Sequence, residues 1–470
     1  MIEMSSIKKN YFYNIVYQIL NIVIPLITTP YVSRILGSGG VGRYSYAYSI
    51  AYYFVMFAML GVNNYGNRTI AVASDDKQKR SKIFWGIYCF QLCVSVIVII
   101  LYVAYVLFIG EDKTIGWIMI TFVISAGFDI NWFYFGMERF KITVVRNSIV
   151  RLSTVLCTFL FVKTAADVYI YSFVSVIGIL VAQIILLVMV RKYVQPVKLC
   201  AHDITQHIKP NLVLFVPVIA ISLYKFMDKI MLGAMCIESE VGYYESCDKI
   251  VQIPVALISA LGVVMLPRIT NMLANNQEQA SLEYTKKSLV FTIFVSAPMS
   301  FGIMAVAEEF VPIFYGRGFD KCIDVFQFLL PCCIFMAFAN VIRTQYLIPY
   351  KKDRIYIISV IAGAVINLIV NAMLIPRLQS IGAAIGTLIA ETTVCVVQCF
   401  CIRTEFRTIK YALYSMPFIL SSVIMYFVLR ILDFGNMGNI LTLMLKIFIG
   451  VIVYIFFAGL TLLVAKKRKF

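Results

Sequence analysis

The chain has 470 residues, 61% of them hydrophobic and only 14% charged, with a mean hydropathy of +0.88. Soluble chains carry about 25% charged residues, and no soluble fold of this length hides so much apolar side chain, so the composition excludes a soluble enzyme and points to lipid as the solvent. The net charge of +17 comes in short clusters between apolar blocks rather than along one face, which excludes nucleic acid as the partner and marks the cytoplasmic side of a membrane.

The apolar blocks run about 18 to 25 residues, enough to cross roughly 30 Å of hydrocarbon as helices, and they lack the period-two alternation of barrel strands. In chain order they predict spans over 11–36, 43–66, 83–109, 115–136, 145–163 and 168–190. After a polar stretch at 191–210 they continue over 212–235, 249–267, 288–311, 325–348, 355–375, 381–402, 411–430 and 440–464, about fourteen spans in all. The first block follows MIEMSSIKKN, has no small-residue cleavage site and passes through Pro25 and Pro30 to Gly37, so it reads as an uncleaved span. Pro25, Pro217, Pro254, Pro298 and Pro331 fall within spans, where proline interrupts the helical ladder and permits a bend.

Placing the amino terminus, alternate loops and the carboxyl terminus on one side puts roughly 27 of the 41 Lys and Arg residues there, so both termini are expected in the cytoplasm. The richest inner clusters are Lys77, Lys79, Arg80 and Lys82, then Lys351, Lys352 and Arg354, then Lys466, Lys467, Arg468 and Lys469; they read as orientation anchors that touch anionic headgroups. No loop exceeds about 20 residues, which leaves no room for a soluble catalytic domain of 50 residues or more.

An internal repeat organises the spans. VIPLITTPYVSRILG followed by GVGRYSYAYSI, near residues 23–50, is echoed by LFVPVIAISLYKFMDKIMLG and EVGYYESCDKI. Pro25 answers Pro217, Ile35-Leu36-Gly37 answers Met231-Leu232-Gly233, and Val41-Gly42 answers Val241-Gly242. The block ending at Gln183 similarly matches the one ending at Gln398. The expected architecture is an all-α polytopic membrane protein: a six-helix bundle over 1–195, a pseudo-symmetric second over 196–404, and two appended helices with a basic tail over 405–470. Bundles repeated in the same topology are related by an axis along the membrane normal, the arrangement of transporters with a site between halves.

Several chemistries are missing their parts. There is no G-x-x-x-x-G-K-[ST], and the glycines at 37, 39, 40 and 42 join two spans, so they serve a tight turn rather than a nucleotide. His202 and His207 are the only histidines; both fall in the central inner loop and read as solvated, which leaves neither a metal site nor a histidine triad. Most of the twelve cysteines lie inside apolar blocks as small apolar residues, although Cys236 and Cys247 flank one outer loop and could pair. No cofactor is called for.

Ionisable residues inside spans are the functional candidates, because each costs several kcal/mol unless it faces a cavity or a partner. They are Asp129, Arg151, Lys225, Asp228, Lys229, Arg343, Glu391 and Lys446, with Arg34 near an outer end. Lys225, Asp228 and Lys229 share one helical face at i, i+3 and i+4, so Asp228 neutralises one lysine and a net positive stripe remains, suited to a phosphate. Arg34, Arg151 and Arg343 complete a basic ring. Asp129 and Glu391, isolated carboxylates, serve either as protonation switches or as partners of arginines. Lys446 reads as peripheral.

These residues resemble a known family, the bacterial O-antigen, capsule and related repeat-unit flippases of the multidrug, oligosaccharidyl-lipid and polysaccharide exporter superfamily. The resemblance is carried in order by PLITTPYVSRILGSGGVGRYSY (25–46), DINWFYFGMERF (129–140), FMDKIMLG (226–233), VVMLPRIT (263–270), EEFVPIFYGRGF (308–319) and IGAAIGTLIAE (381–391). It implies transport rather than catalysis, by a monomer in the bacterial cytoplasmic membrane, through two six-helix bundles that alternate between inward-open and outward-open states around a cationic cavity. The implied cargo is an undecaprenyl-diphosphate-linked oligosaccharide moved from the inner to the outer leaflet, with membrane lipids, H+ or Na+ and the polymerase of the pathway as further partners. In that picture Arg34, Arg151, Lys225, Lys229 and Arg343 contact the diphosphate or acidic sugars, Asp228 tunes its lysines, and Asp129 and Glu391 couple an ion. The alternatives are a multidrug or cation antiporter of the same superfamily, which favours a more acidic cavity, and a membrane polysaccharide polymerase, which needs a larger outer loop.

Overall fold

In hydrocarbon each backbone N–H and C=O must be satisfied within the chain, so an apolar sequence without strand alternation resolves into helices. The computed structural model describes the backbone of residues 2–73, 76–435 and 438–467. It describes the side chains of these residues from 20 to 461, apart from 21–22, 216–217, 220–221 and 223–225. Among the described residues there is no strand, and eleven helices are long and apolar enough to cross a membrane.

The helices are α1 (Ile2–Met59), α2 (Val62–Val72), α3 (Lys77–Phe108), α4 (Lys113–Gly127), α5 (Asn131–Gly136), α6 (Phe140–Phe161), α7 (Val168–Val190), α8 (Ala201–Thr205) and α9 (Ile208–Met235). They continue as α10 (Glu238–Ala274), α11 (Glu278–Ala305), α12 (Ala307–Phe314), α13 (Lys321–Leu329), α14 (Cys332–Ile342), α15 (Asp353–Cys401), α16 (Thr408–Ile431) and α17 (Asn439–Lys467). The starts of α3 and α4 are capped by side chains: Asp76 accepts from the backbone of Gln78 and Lys79, and Asp112 accepts from Ile115.

The expected breaks at Gly37 and near residue 380 fall inside the long helices α1 and α15. There Gly37 (φ 67°, ψ 178°) and Gln379 (φ 54°, ψ −128°) leave the helical region and turn the chain. Four expected spans are themselves broken: 43–66 at Leu60–Gly61, 115–136 at Phe128–Ile130, 288–311 at Val306, and 325–348 at Leu330–Pro331. The break at Phe128–Ile130 is tolerated because Gln91 Nε2 donates to the carbonyls of Ala126 (2.7 Å) and Asp129 (2.9 Å), which satisfies backbone that the helix no longer does. Of the prolines expected to interrupt spans, Pro331 heads a new helix, whereas Pro25, Pro254 and Pro298 lie inside continuous ones. Pro217 has its side chain outside the described residues.

The chain divides into two compact units, residues 1–226 and 227–470, within α9. This differs from the sequence-based division at 195/196, because α8 and the first part of α9 pack on the first unit. Asp203 pairs with Lys82 (3.0 Å), Tyr65 meets His207 (2.8 Å), and Phe215 packs edge-on against Phe57. His207 is therefore buried, not solvated as its loop position suggested; Gly86 beneath it leaves room for the ring. Burial pushes the His207 imidazole below its ordinary value near 6.5, with Asp203 opposing, and Asp203 is held low by the Cys200 N–H and by Lys82. Arg80, expected at the headgroups, is buried and donates to the Tyr193 carbonyl.

The first unit is centred on the buried aromatics Phe84, Trp132, Phe133 and Tyr134, and the Trp132 ring sits against Gly66, where a side chain would collide with it. In the second unit, α16 and α17 are pinned by ion pairs and a hydrogen bond. Lys446, buried instead of peripheral, pairs with Glu309 (2.5 Å), Arg430 pairs with Glu308, and Tyr454 donates to the Phe294 carbonyl. All twelve cysteines are free: Cys236 reaches the Ile375 carbonyl and Cys247 the Cys322 carbonyl, so the pair flanking the outer loop is not joined.

Candidate functional site

The densest polar constellation lies in the second unit, around Asp228 near the end of α9. Its carboxylate is 3% exposed and accepts from Tyr244 of α10 (2.6 Å), from Asn367 (3.0 Å) and Asn371, and from Thr387 (3.0 Å). Asn367 and Asn371 stand one turn apart on the first arm of α15 and Thr387 on its second arm, so the turn at Gln379 brings both arms to one carboxylate. Two glycines one turn apart permit the approach: a β-carbon at Gly382 would lie 2.6 Å from the Leu374 carbonyl, and one at Gly386 2.0 Å from Asn371 Oδ1. The turn is held from α10 and α13, because Glu240 accepts from Ser380 N (3.1 Å) and Oγ (2.6 Å) and pairs with Lys321 (2.6 Å). Asn371 Oδ1 is buried without a partner, so this set of oxygens has unused capacity to accept.

Lys229 has other partners than that cage. It is 8% exposed and pairs with Glu245 (2.5 Å) and Asp248 (3.1 Å), and Glu245 also pairs with Lys249 (3.3 Å). The expected pairing of Asp228 with its lysine neighbours is thus not made by Lys229. Acidic residues of α10 neutralise that lysine, and among the described residues no Lys or Arg reaches Asp228. The side chain of Lys225 lies outside the described residues.

The first unit holds a second, closed network at the α4–α5 break. Asp129 Oδ1 accepts from the backbone N–H (3.0 Å) and the side-chain amide (2.6 Å) of Asn131. Asn131 Oδ1 in turn accepts from the buried Arg146 (2.7 Å), which also donates to the Ala182 carbonyl (2.7 Å) and Gln183 (3.2 Å). Asp129 is thus linked to an arginine through one amide.

The other candidates are dispersed. Arg34 and Arg151 are exposed, and Arg343 is half-buried with its guanidinium 5.7 Å from the Tyr356 ring centre. Arg343 opens a π-helical turn, Arg343–Leu347, a geometry common at functional sites. Glu391 is buried on the second arm of α15. Sequence reasoning missed Tyr244, Glu245 and Asp248 because the apolar block of that span begins after them, whereas α10 starts at Glu238. Asn367-x-x-x-Asn371, a polar pair one turn apart in an apolar span, was a usable signal, and Arg146 was hidden at the edge of a predicted span.

Eleven helices long and apolar enough to cross a membrane, among the described residues, define a polytopic α-helical membrane protein. The chain belongs to the polysaccharide biosynthesis protein family, whose sequence profile matches residues 7–273; a second profile, MatE, matches residues 214–373. It is 27% identical over 405 residues, 85% of this chain and 97% of the relative, to a protein of Escherichia coli (strain K12) named "Putative O-antigen transporter". The fold matches that of the lipid II flippase MurJ in an inward closed conformation, with a TM-score of 0.76 at 15% identity over 96% of this chain and 98% of the other. It also matches an inward-facing multidrug resistance MATE family transporter, with a TM-score of 0.61 at 13% identity over 82% and 95%. The protein is a multi-pass membrane transporter, not an enzyme.

Proposed function

We propose that the protein is a flippase that moves undecaprenyl-diphosphate-linked oligosaccharide repeat units from the inner to the outer leaflet of the bacterial cytoplasmic membrane by alternating access, with both termini in the cytoplasm. The observation that carries this reading is the match across 97% of the E. coli relative within a polysaccharide biosynthesis family. A fold shared by a lipid flippase and a drug transporter does not separate the two cargoes, so the argument turns on charge.

Sugars and a diphosphate need a polar route, while a prenyl chain remains in lipid. Arg34, Arg151, Lys225 and Arg343 are the cations assigned to the phosphates or acidic sugars; guanidinium groups suit this because their paired donors match phosphate oxygens. Lys229, already neutralised by Glu245 and Asp248, is assigned to holding α9 against α10 instead. Coupling is assigned to Asp228. A buried carboxylate surrounded by Tyr244, Asn367, Asn371 and Thr387 takes up a proton or a small hard cation such as Na+ through its oxygens. Asp129 then serves structure, and Glu391 remains a second coupling candidate.

The test is reconstitution in proteoliposomes with a lipid-linked oligosaccharide, scored by lectin access from the far leaflet. Intact protein is expected to expose the sugar, and Arg34→Ala, Arg151→Ala and Arg343→Ala to slow exposure about tenfold or more, the worth of one lost charge-assisted contact. Asp228→Asn is expected to keep the fold and abolish dependence on the ion gradient. Transport of small cations against protons, with no movement of the lipid, would replace this reading with the antiporter.

A further inference from the structure

Between α6 and α7 of the first unit runs a trough of about 470 Å³. Lys141, Val145 and Ile149 form one stripe of its α6 wall at i, i+4 and i+8, and Ile142, Arg146 and Val150 form the adjoining stripe. Ile185 and Met189, one turn apart on α7, make the opposite wall. The eight lining residues include two cations and no carboxylate. Both cations lie toward the amino-terminal end of α6, and the apolar stripes continue to Val150, about 13 Å from Lys141 at 1.5 Å per residue.

We infer that this trough is a binding site for an anionic phospholipid, with one acyl chain along the Val145–Ile149–Ile185 walls and its phosphate at Lys141. The walls are open to the surroundings, Val145 being 41%, Ile149 59% and Ile185 37% exposed. On helices of spanning length such apolar exposure is to hydrocarbon. Lys141 is exposed at the mouth, while Arg146 is fixed in place by Ala182, Gln183 and Asn131 and lends its charge to the wall without needing to move. The amino-terminal end of α6 adds positive potential at the same mouth. An apolar channel with one cationic end complements a phosphate on an acyl chain, favours an anionic over a zwitterionic lipid and opposes cationic amphiphiles. This site concerns the surrounding bilayer and stands whether or not the transport reading holds.

The experiment is native mass spectrometry of the full-length protein in detergent titrated with phosphatidylglycerol or phosphatidylcholine. Phosphatidylglycerol is expected to bind in excess of phosphatidylcholine. Lys141→Ala is expected to weaken it roughly fivefold, the share of one lysine near a phosphate. Ile149→Trp, which fills the trough while leaving the charge, is expected to lower occupancy of both lipids, and Val145→Trp repeats that test at an independent position. Equal binding of the two lipids, or unchanged occupancy in both tryptophan variants, would overturn the assignment. Displacement of phosphatidylglycerol by a polyprenyl phosphate at much lower concentration would also overturn it, giving the trough to another lipid.

Discussion

Val32 and Asp228 hold equivalent places in the internal repeat, since Ile35-Leu36-Gly37 answers Met231-Leu232-Gly233, yet their surroundings are opposite. Val32 is buried in an apolar cluster with Leu36, Val41, Val162 and Val168. Asp228 is buried in a cage of donors. The tyrosines that follow diverge in the same way: Tyr44 packs edge-on against Tyr171, while its counterpart Tyr244 gives its hydroxyl to Asp228. One backbone plan thus supports an apolar cluster in the first unit and a hydrogen-bonded polar core in the second. Where the first unit does bury charge, at Asp129 and Arg146, it closes the network through Asn131.

The largest effect is expected at the ion pairs of the second unit. Lys229→Ala takes the shared ammonium from Glu245 and Asp248, leaving Lys249 beside Glu245, and should destabilise the protein by about 3 kcal/mol, read as a fall in thermal midpoint in detergent. Adding Glu245→Gln should restore part of that loss. Full stability in the single variant would remove the contrast drawn here.

Of similar size is the effect of an attempt to make the first unit resemble the second. Val32→Asp places a carboxylate among valines with none of the donors that Asp228 has, and about 3 kcal/mol of destabilisation is expected, visible as poor accumulation in membranes. A well-folded Val32→Asp protein would show that the first unit can also form a cage.

Gly386→Ala probes the cage itself. Its β-carbon would meet Asn371 Oδ1 at 2.0 Å, so Asn371 must move off Asp228, at about 1–3 kcal/mol. With Asp228 in the proposed coupling role, transport should lose its ion dependence before the protein loses its fold.

The smallest effect separates the units by pH. In the folded first unit the His207 imidazole titrates below its ordinary value, so the unfolded chain binds the proton more readily. Stability should be level above about pH 6.5 and fall as pH drops through that value, with slope set by one proton. Asp203, held low by Cys200 and Lys82, extends the loss to still lower pH. His207→Gln should flatten the upper part of this acid limb in a thermal-melt series; an unchanged limb would place the titration elsewhere.

Much of this was legible in the sequence. Hydropathy gave the all-helical membrane class, because hydrocarbon demands long apolar helices whatever the tertiary fold, and α7 occupies the predicted 168–190. The repeat and the ordered motifs pointed to the family, and Gly37 marked its own turn, since its φ of 67° favours a residue without a β-carbon. Asp228 was singled out because an acid in a span is costly, a rule that needs no structure.

Partners were decided only by tertiary structure. Helical spacing put Asp228 with its lysine neighbours, but Asn367 and Asn371 reach it from more than a hundred residues away, the turn at Gln379 brings Thr387 back to it, and Lys229 is claimed by α10. His207 and Lys446 looked peripheral from local polarity and are buried against Tyr65 and Glu309. Local sequence determines which groups must be satisfied, because desolvation acts on each residue by itself; which groups satisfy them depends on long-range helix packing, and that is settled only when the chain is folded.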